Sequence, residues 1–348
     1  MSIIQTNAKL AEYTTLGVGG VAEQLIELDS AEQLLELSTL PQQLTVLGYG
    51  ANVLISDAGI SGSVILLRGD TAEVITCTDT TITVDAACNW DALVAYSIEQ
   101  NLWGFELTSG IPGGVGAAVV GNIAAYGQAV ADSLLHITVY DPQRNRSFQL
   151  TVADLELEYR YSNLQQPENR HLVVISATFE LSHEPTMELT YQRALDTAAE
   201  LDLDPRQLQH RRKIILETRR RAGSLLDGTS HTAGSFFRNP LVTREQADRI
   251  IEFDETGKTA EQISRMNRTH GGDDLRVSAA HVLLAAGFER GQSWGPVRLH
   301  PDHVLKIENT GGARAQEIYD VATEIIATAK AKLGVNLQPE VKFLGAFD

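Results

Sequence analysis

Residues 109–127 read SGIPGGVGAAVVGNIAAYG. Six of these nineteen positions are glycine, four are alanine and none is charged. Pro112 and the shortness of the run exclude a bilayer span, which needs roughly 20 apolar residues. Composition leaves two readings open. The segment is packed tightly in a core, or it floors a groove in which a large flat ligand lies where side chains are missing. A second glycine stretch, Gly48-Tyr49-Gly50-Ala51-Asn52-Val53, follows the strand-like Gln43–Leu47. It is superficially like a dinucleotide fingerprint. A Rossmann site, however, needs a helix to start inside the glycines, because the helix N-terminus holds the pyrophosphate. Here the continuation VLISDAGISGSVILL is strand-and-turn sequence. A Rossmann domain is therefore rejected, while a backbone cradle for phosphate and a plain turn both stay open.

Outward from these stretches the pattern is α+β. Val21–Leu28, Gln43–Leu47 and Ser63–Leu67 are expected strands, with a helix at Ala31–Leu37. Val74–Cys77 and Thr81–Val84 are Thr/Val-rich strands around a polar turn. Trp90–Gln100 has helical spacing. His136–Asp141 and Arg146–Thr151 flank Pro142 as a hairpin, and Leu172–Leu181 is a long alternating strand. Charged helical sequence fills 192–222. Thr243 is placed to cap a helix reaching Phe253. Ile318, Val321, Ile325 and Ala329 form the apolar stripe of a helix at Ala315–Leu333, with Gly334 at its C-terminal cap. A strand at about Glu340–Leu344 closes the chain.

The chain has 348 residues and a net charge of −17, from 28 basic and 45 acidic residues. Nucleic acid and anionic lipid are not expected partners of so acidic a protein. Any phosphorylated ligand needs a local cluster of positive charge. His210-Arg211-Arg212-Lys213 and Arg219-Arg220-Arg221 offer one, and Arg212 and Arg219, seven apart, share a helix face. A solvated helix face is the ordinary role of such a run. Cys77 and Cys88 are the two cysteines, so neither a disulfide framework nor a cysteine zinc site is expected. His300 and His303 have no Glu or Cys nearby, and no metal is expected. The opening residues lack a basic-then-apolar leader, and a cytoplasmic location is expected.

Six segments together resemble one family over nearly the whole chain. Thr14-Thr15-Leu16-Gly17-Val18-Gly19-Gly20 is similar to its N-terminal TLGVGG. Leu47–Leu54, LGYGANVL, is similar to LGxGSNxL with Ala51 where serine is usual. The glycine segment at 109–127 resembles its flavin signature. Glu158-Tyr159-Arg160-Tyr161-Ser162 resembles YRxS, and Ala233–Pro240, AGSFFRNP, resembles AGSFFxNP. Leu337-Gln338-Pro339-Glu340-Val341 resembles a C-terminal LxPEV. The family is the bacterial UDP-N-acetylenolpyruvoylglucosamine reductases, which make a peptidoglycan precursor.

The resemblance implies an FAD-binding fold of the vanillyl-alcohol-oxidase (PCMH) type. It implies FAD-binding subdomains at 1–70 and 71–225 and a substrate domain at 226–333, with 334–348 packing back near the active site. It also implies non-covalent FAD, NADPH as co-substrate, and reduction of UDP-N-acetylglucosamine enolpyruvate to UDP-N-acetylmuramate by a monomeric enzyme. The FAD contacts carried over are Gly48, Tyr49, Gly50, Ala51, Asn52 and Val53, then Pro112, Gly113, Gly116, Ala117, Asn122 and Gly127. Arg160, Ser235 and Glu340 match the family's catalytic residues. Hydride addition to an alkene bearing a carboxylate drives negative charge into a group already anionic. A fixed cation and hydrogen-bond donors are the expected remedy, with Arg160 and a protonated Glu340 in those roles. Ser235 is the expected proton donor to the α-carbon. Tyr126, Tyr191, Asn239 and Arg276 are the expected substrate contacts. Arg276 stands where the family often has lysine, and a strand tyrosine is an equal reading of Tyr191. The basic stretch Arg219–Arg221, just ahead of AGSFF, is a candidate for the diphosphate. An oxidase on the same fold, or a non-catalytic flavin binder, are the competing classes. Neither glycine stretch holds a His or Cys for covalent flavin attachment.

Overall fold

The computed structural model describes residues 3–37, 44–69, 74–225, 228, 230–253 and 275–348. Gln43 and the boundaries expected at 70/71 and 226 lie outside these residues. The chain gathers into two compact units. One comprises Met1–Ala8, Ala22–Gly50 and Ser61–Leu225, the other Lys9–Val21, Ala51–Ile60 and Leu226–Asp348.

The first unit contains two sheets. One runs in the order Ile3–Lys9, Val21–Leu28, Ile60–Leu67, Leu44–Leu47, and its last pair is parallel. The expected helix at Ala31–Leu37 is reduced to Gln33–Glu36. The second sheet is antiparallel, in the order Arg146–Thr151, Leu134–Asp141, Val173–Glu180, Thr81–Asp85, Val74–Thr78. Val173–Glu180 is its middle strand and is buried along all but its last residue, Ser176 and Thr178 included, so the alternation of its sequence does not become a buried and an exposed face. Trp90, Phe105 and Phe179 meet edge to face at its core, with centroids 5.0 to 6.1 Å apart.

The glycine segment feeds the helix Val115–Val120, which lies on this sheet. A Cβ on Gly116 would stand 3.1 Å from Ala86 Cβ and 3.6 Å from Val174 Cβ. Close packing favours glycine here. The helix Trp90–Glu99 is capped by Asn89, whose side chain accepts from the Ala92 N–H at 3.0 Å. The charged stretch at 192–222 forms two helices, Gln192–Glu200 and Leu208–Arg221. Asp202, with φ +54, and Pro205 interrupt it. Arg211 is buried with Glu106 in an ion pair of 3.0 Å and lies over the Trp103 ring.

The second unit carries an antiparallel sheet in the order His231–Ser235, Lys306–Asn309, Val297–Leu299, Ser293–Trp294. Ala315–Leu333 is helical as its stripe predicts, and Gly334 takes φ +71 at the cap. Thr243 closes a capping box with Gln246 ahead of Arg244–Glu252. The final strand, Lys342–Leu344, pairs in parallel with Val53–Ile55.

Candidate active site

In the first unit the two glycine stretches are brought side by side. The Tyr49 hydroxyl donates to Gly69 O and stands 3.3 Å from Ala87 O. Its ring lies 3.3 Å from where a Gly114 Cβ would be. Main-chain bonds from Trp90 N to Gly113 O, Val115 N to Cys88 O and Gly116 N to Ala86 O, each 2.9 Å, fix the second stretch to the segment that follows the strand Thr81–Asp85. Gly113 has φ +126 and nothing within 4 Å of its Cβ position, and the nearest atom to a Gly48 Cβ is 3.8 Å away. A flat group lying against bare main chain fits such a surface, so the residues fit an FAD. Strands Val53–Ile55 and Ile60–Leu67 follow the first glycines, so the Rossmann exclusion holds.

Four expected contacts have partners within the chain. The Asn122 amide donates to Glu158 O at 2.8 Å and accepts from Ala131 N at 3.0 Å, so it holds the turn. Asn52 donates to Glu340 O at 3.3 Å, within the second unit. Asn239 Oδ1 accepts from Ala279 N at 2.9 Å, and Arg276 donates to Asn239 O at 2.8 Å, so this expected pair is brought together.

Arg160 is stitched to the glycine segment. Its Nη2 donates to Ala124 O at 3.1 Å. Two residues on, Ser162 Oγ donates to Val120 O at 2.8 Å, and Gln165 Nε2 reaches the same carbonyl at 2.9 Å. The Arg160 guanidinium also lies 5.9 Å from the Tyr159 ring centroid. Arg160, Tyr126 and Asn122 all have positive φ, at +56, +52 and +40. Non-glycine residues seldom adopt this conformation, and it concentrates at functional sites.

Tyr126 and Tyr191 contact edge to face, with centroids 5.0 Å apart. Tyr191 is 38% exposed. It precedes the helix Gln192–Glu200 and lies outside any strand. Burial pushes the Tyr126 hydroxyl up, opposed by the charge of Arg219. Burial also pulls the Arg219 guanidinium down; Tyr126 and Asp91 oppose this, and the Arg160 charge adds to it. Arg219 Nη2 donates to Ser224 O at 3.0 Å, while its buried Nε has no hydrogen-bond partner. A Cβ on Gly110 would lie 3.5 Å from that Nε. Two arginines and a tyrosine thus share one corner of the first unit, beside the glycine segment, an arrangement suited to an anion.

The other arginines of the basic run are paired with carboxylates. Arg212 holds Asp91 with bonds of 2.7 and 2.9 Å, and Asp91 also accepts from Gly110 N at 2.6 Å. Those bonds and the Arg212 charge hold the Asp91 carboxyl below its ordinary value against the opposing effect of burial. Arg220 and Arg221 pair with Glu217, and Arg221 also with Glu200. The stretch Arg219–Arg221 therefore does not act as a block. Arg219 is the member that turns inward, and the long-range partner that separates it from Arg212 is invisible in sequence.

In the second unit Ser235 and Glu340 are neighbours through main chain. Glu340 N donates to Phe236 O at 2.8 Å, and Arg238 N to Gln338 O at 2.9 Å. Phe236 and Phe237 are fully buried and anchor this crossing, which leaves Ser235 exposed and Glu340 half-buried. No group of three or more potential metal ligands occurs among the described residues. None of their helices is long and apolar enough to cross a membrane.

Residues 22–143 match the model of an FAD binding domain. Residues 227–344 match that of the UDP-N-acetylenolpyruvoylglucosamine reductase C-terminal domain. The UDP-N-acetylenolpyruvoylglucosamine reductase of Thermobifida fusca is 32% identical, covering 97% of both chains. That of Salinispora arenicola is 33% identical, covering 95% of this chain and 93% of its own. The crystal structure of the enzyme from Thermus caldophilus matches in fold, with a TM-score of 0.63 at 22% identity and 99% coverage of each chain. The fold is α+β with an FAD-binding domain of the vanillyl-alcohol-oxidase type, as the motifs implied. Motifs, fold and relatives agree, and the chain belongs to the UDP-N-acetylenolpyruvoylglucosamine reductase family.

Proposed function

We propose that this chain reduces UDP-N-acetylglucosamine enolpyruvate to UDP-N-acetylmuramate with NADPH, for peptidoglycan synthesis. The observation that carries the reading is the joining of the two glycine stretches to the Arg160–Tyr126–Arg219 corner within one unit. FAD, when bound, supplies the two-electron relay between NADPH and the alkene. Gly48, Tyr49, Gly50, Gly113, Gly116 and Gly127 are the residues of that unit proposed to hold it; Ala51 and Val53, which follow Gly50 in sequence, are proposed as further contacts. In the functional division we propose, 1–70 and 71–225 serve the flavin, 226–333 serve the substrate, and 334–348 return Glu340 to the site.

The remaining chemistry belongs to side chains. Reduction at the β-carbon puts charge on the α-carbon and the attached carboxylate. The planar guanidinium of Arg160 offers that carboxylate a fixed fork, and a protonated Glu340 donates to the same enolate. The Ser235 hydroxyl then gives its proton to the α-carbon. Tyr191, exposed against Tyr126, is proposed to cover the sugar nucleotide, and Arg219 is the arginine of its stretch proposed to meet an anion. Asn239 and Arg276 act as a linked pair toward the diphosphate. With a charge of −17 and no membrane-crossing helix among the described residues, the enzyme is proposed to be cytoplasmic and monomeric, without nucleic acid or membrane partners.

The deciding experiment is anaerobic. NADPH should bleach the yellow protein, and colour should return on adding the enolpyruvyl sugar. Rapid recovery with air alone would instead identify an oxidase. The flavin should also leave the protein on acid precipitation, since no His or Cys lies in either glycine stretch. Colour retained in the washed pellet would contradict non-covalent binding.

A further inference from the structure

A serine hydroxyl is a weak acid, and Ser235 has a cationic neighbour. It ends the strand His231–Ser235, which runs antiparallel to Lys306–Asn309. Thr232 lies opposite Glu308, and Ser235 lies opposite Lys306. Thr232 and Ser235 are three apart while their partners are two apart, so the first strand holds an extra residue. It is absorbed at Ala233-Gly234, where Gly234 takes φ +74 with nothing within 4 Å of its Cβ position. Strand side chains alternate faces, so a regular strand would turn Ser235 away from the face of Thr232. The bulge restores it to the face that carries Lys306. Opposed residues on one face hold their Cβ atoms roughly 4.5–5.5 Å apart, well within reach of a lysine stem.

Lys306 is 3% exposed, whereas Ser235 is open to solvent. Glu308, on the same face, has its carboxylate engaged by Arg298 at 2.6 Å. The charge of Lys306 is felt at His303, whose Nδ1 accepts from Leu305 N at 3.3 Å. Burial, followed by the charges of Lys306, Arg290 and His300, pushes that imidazole down to about 4. His303 is therefore neutral near pH 7, and Lys306 is the positive charge set across from the serine.

We propose that Lys306 sustains the proton-donor role of Ser235, by stabilising the serine alkoxide and returning a proton to it. The inference rests on the assignment of Ser235 made above. The Ser235 O–H bond breaks as a C–H bond forms at the α-carbon, and the negative charge passes from carbon to the serine oxygen. An opposite charge close by favours that alkoxide. A proton from Lys306 Nζ then restores the hydroxyl, and the amine is reprotonated from solvent. Lys306 acts through Ser235 and is a positioning residue, not one that touches the substrate.

The test uses the FAD-loaded enzyme, with its two half-reactions followed separately by flavin colour. Lys306→Met should be reduced by NADPH at close to the normal rate. It should be reoxidised by the enolpyruvyl sugar at least roughly 10-fold more slowly, a smaller loss than the 10² scale for removing the donor itself. Lys306→Arg should recover most of that loss. Because the lysine acts through the serine, Ser235→Ala with Lys306→Met should be no slower than Ser235→Ala alone. Normal reoxidation of Lys306→Met, an additive double variant, or failure of arginine to rescue would each overturn the proposal. Lys306→Gln is measured in parallel; if neither uncharged variant folds and binds flavin, Lys306 is a structural residue and the proposal fails. A wild-type enzyme that the sugar does not reoxidise would overturn the reductase reading instead. Normal reoxidation of Ser235→Ala would overturn the role of Ser235. With those two controls as expected, the Lys306 variants judge Lys306 alone.

Discussion

Ser235→Ala is expected to be reduced by NADPH almost normally and then to stall, reacting with the enolpyruvyl sugar at least roughly 10²-fold more slowly than the parent enzyme. The asymmetry follows from timing. The hydroxyl is needed only once charge has arrived on the α-carbon, and nothing in the first half-reaction calls on it. The position also separates chemistry from folding. Ser235 is exposed, while the adjoining Phe236 and Phe237 are fully buried and keep the strand in place. An exposed substitution of this kind changes stability by no more than about 0.5 kcal/mol. Rapid-mixing measurements of the two half-reactions, with thermal unfolding as a control, give the answer. An equal loss in both would show that Ser235 serves binding or structure and donates no proton.

What is legible in the sequence is local. The strand Val173–Glu180, the hairpin Leu134–Asp141 with Arg146–Thr151, and the capped helix Ala315–Leu333 follow from periodicity and from residues that stop an element. The strand-and-turn residues after Gly48–Gly50 are equally plain, and they suffice to exclude a Rossmann nucleotide fold. What stays hidden depends on partners far along the chain. Arg212 and Arg219 look equivalent on one helix face. Only Asp91, 121 residues away from Arg212, makes one a structural clamp and leaves the other turned inward. Asn122 and Asn239 match binding motifs, yet their amides also secure backbone at positions 131, 158 and 279. A period-2 reading of His231–Ser235 cannot see the bulge at Gly234 that sets which face Ser235 joins. The positive φ of Arg160 is invisible for the same reason: it goes with a bond from Arg160 to Ala124 and one from Ser162 to Val120, both accepted by the glycine segment.

That conformation makes the second large effect predictable. Arg160→Lys should retain the charge and lose on the order of 10²-fold in turnover of the enolpyruvyl sugar. A guanidinium presents parallel N–H donors in a plane, whereas an ammonium is a point charge that can approach a carboxylate from many directions. Arg160 also spends one arm on Ala124 O at 3.1 Å, which holds the fork in orientation. A lysine that makes this bond has no second planar donor left for the substrate, and one that does not is free to wander. A displacement of about 1 Å at a reacting group costs on the order of 10²-fold. The loss belongs in the step that consumes the sugar, because Arg160 is assigned to charge that grows only as the transition state is reached. Reduction by NADPH with no sugar present should change far less. If Arg160→Lys instead turns the sugar over at close to the normal rate, Arg160 supplies only a diffuse positive field. The developing enolate must then be held chiefly by Glu340, or by Arg219, whose guanidinium shares the same corner.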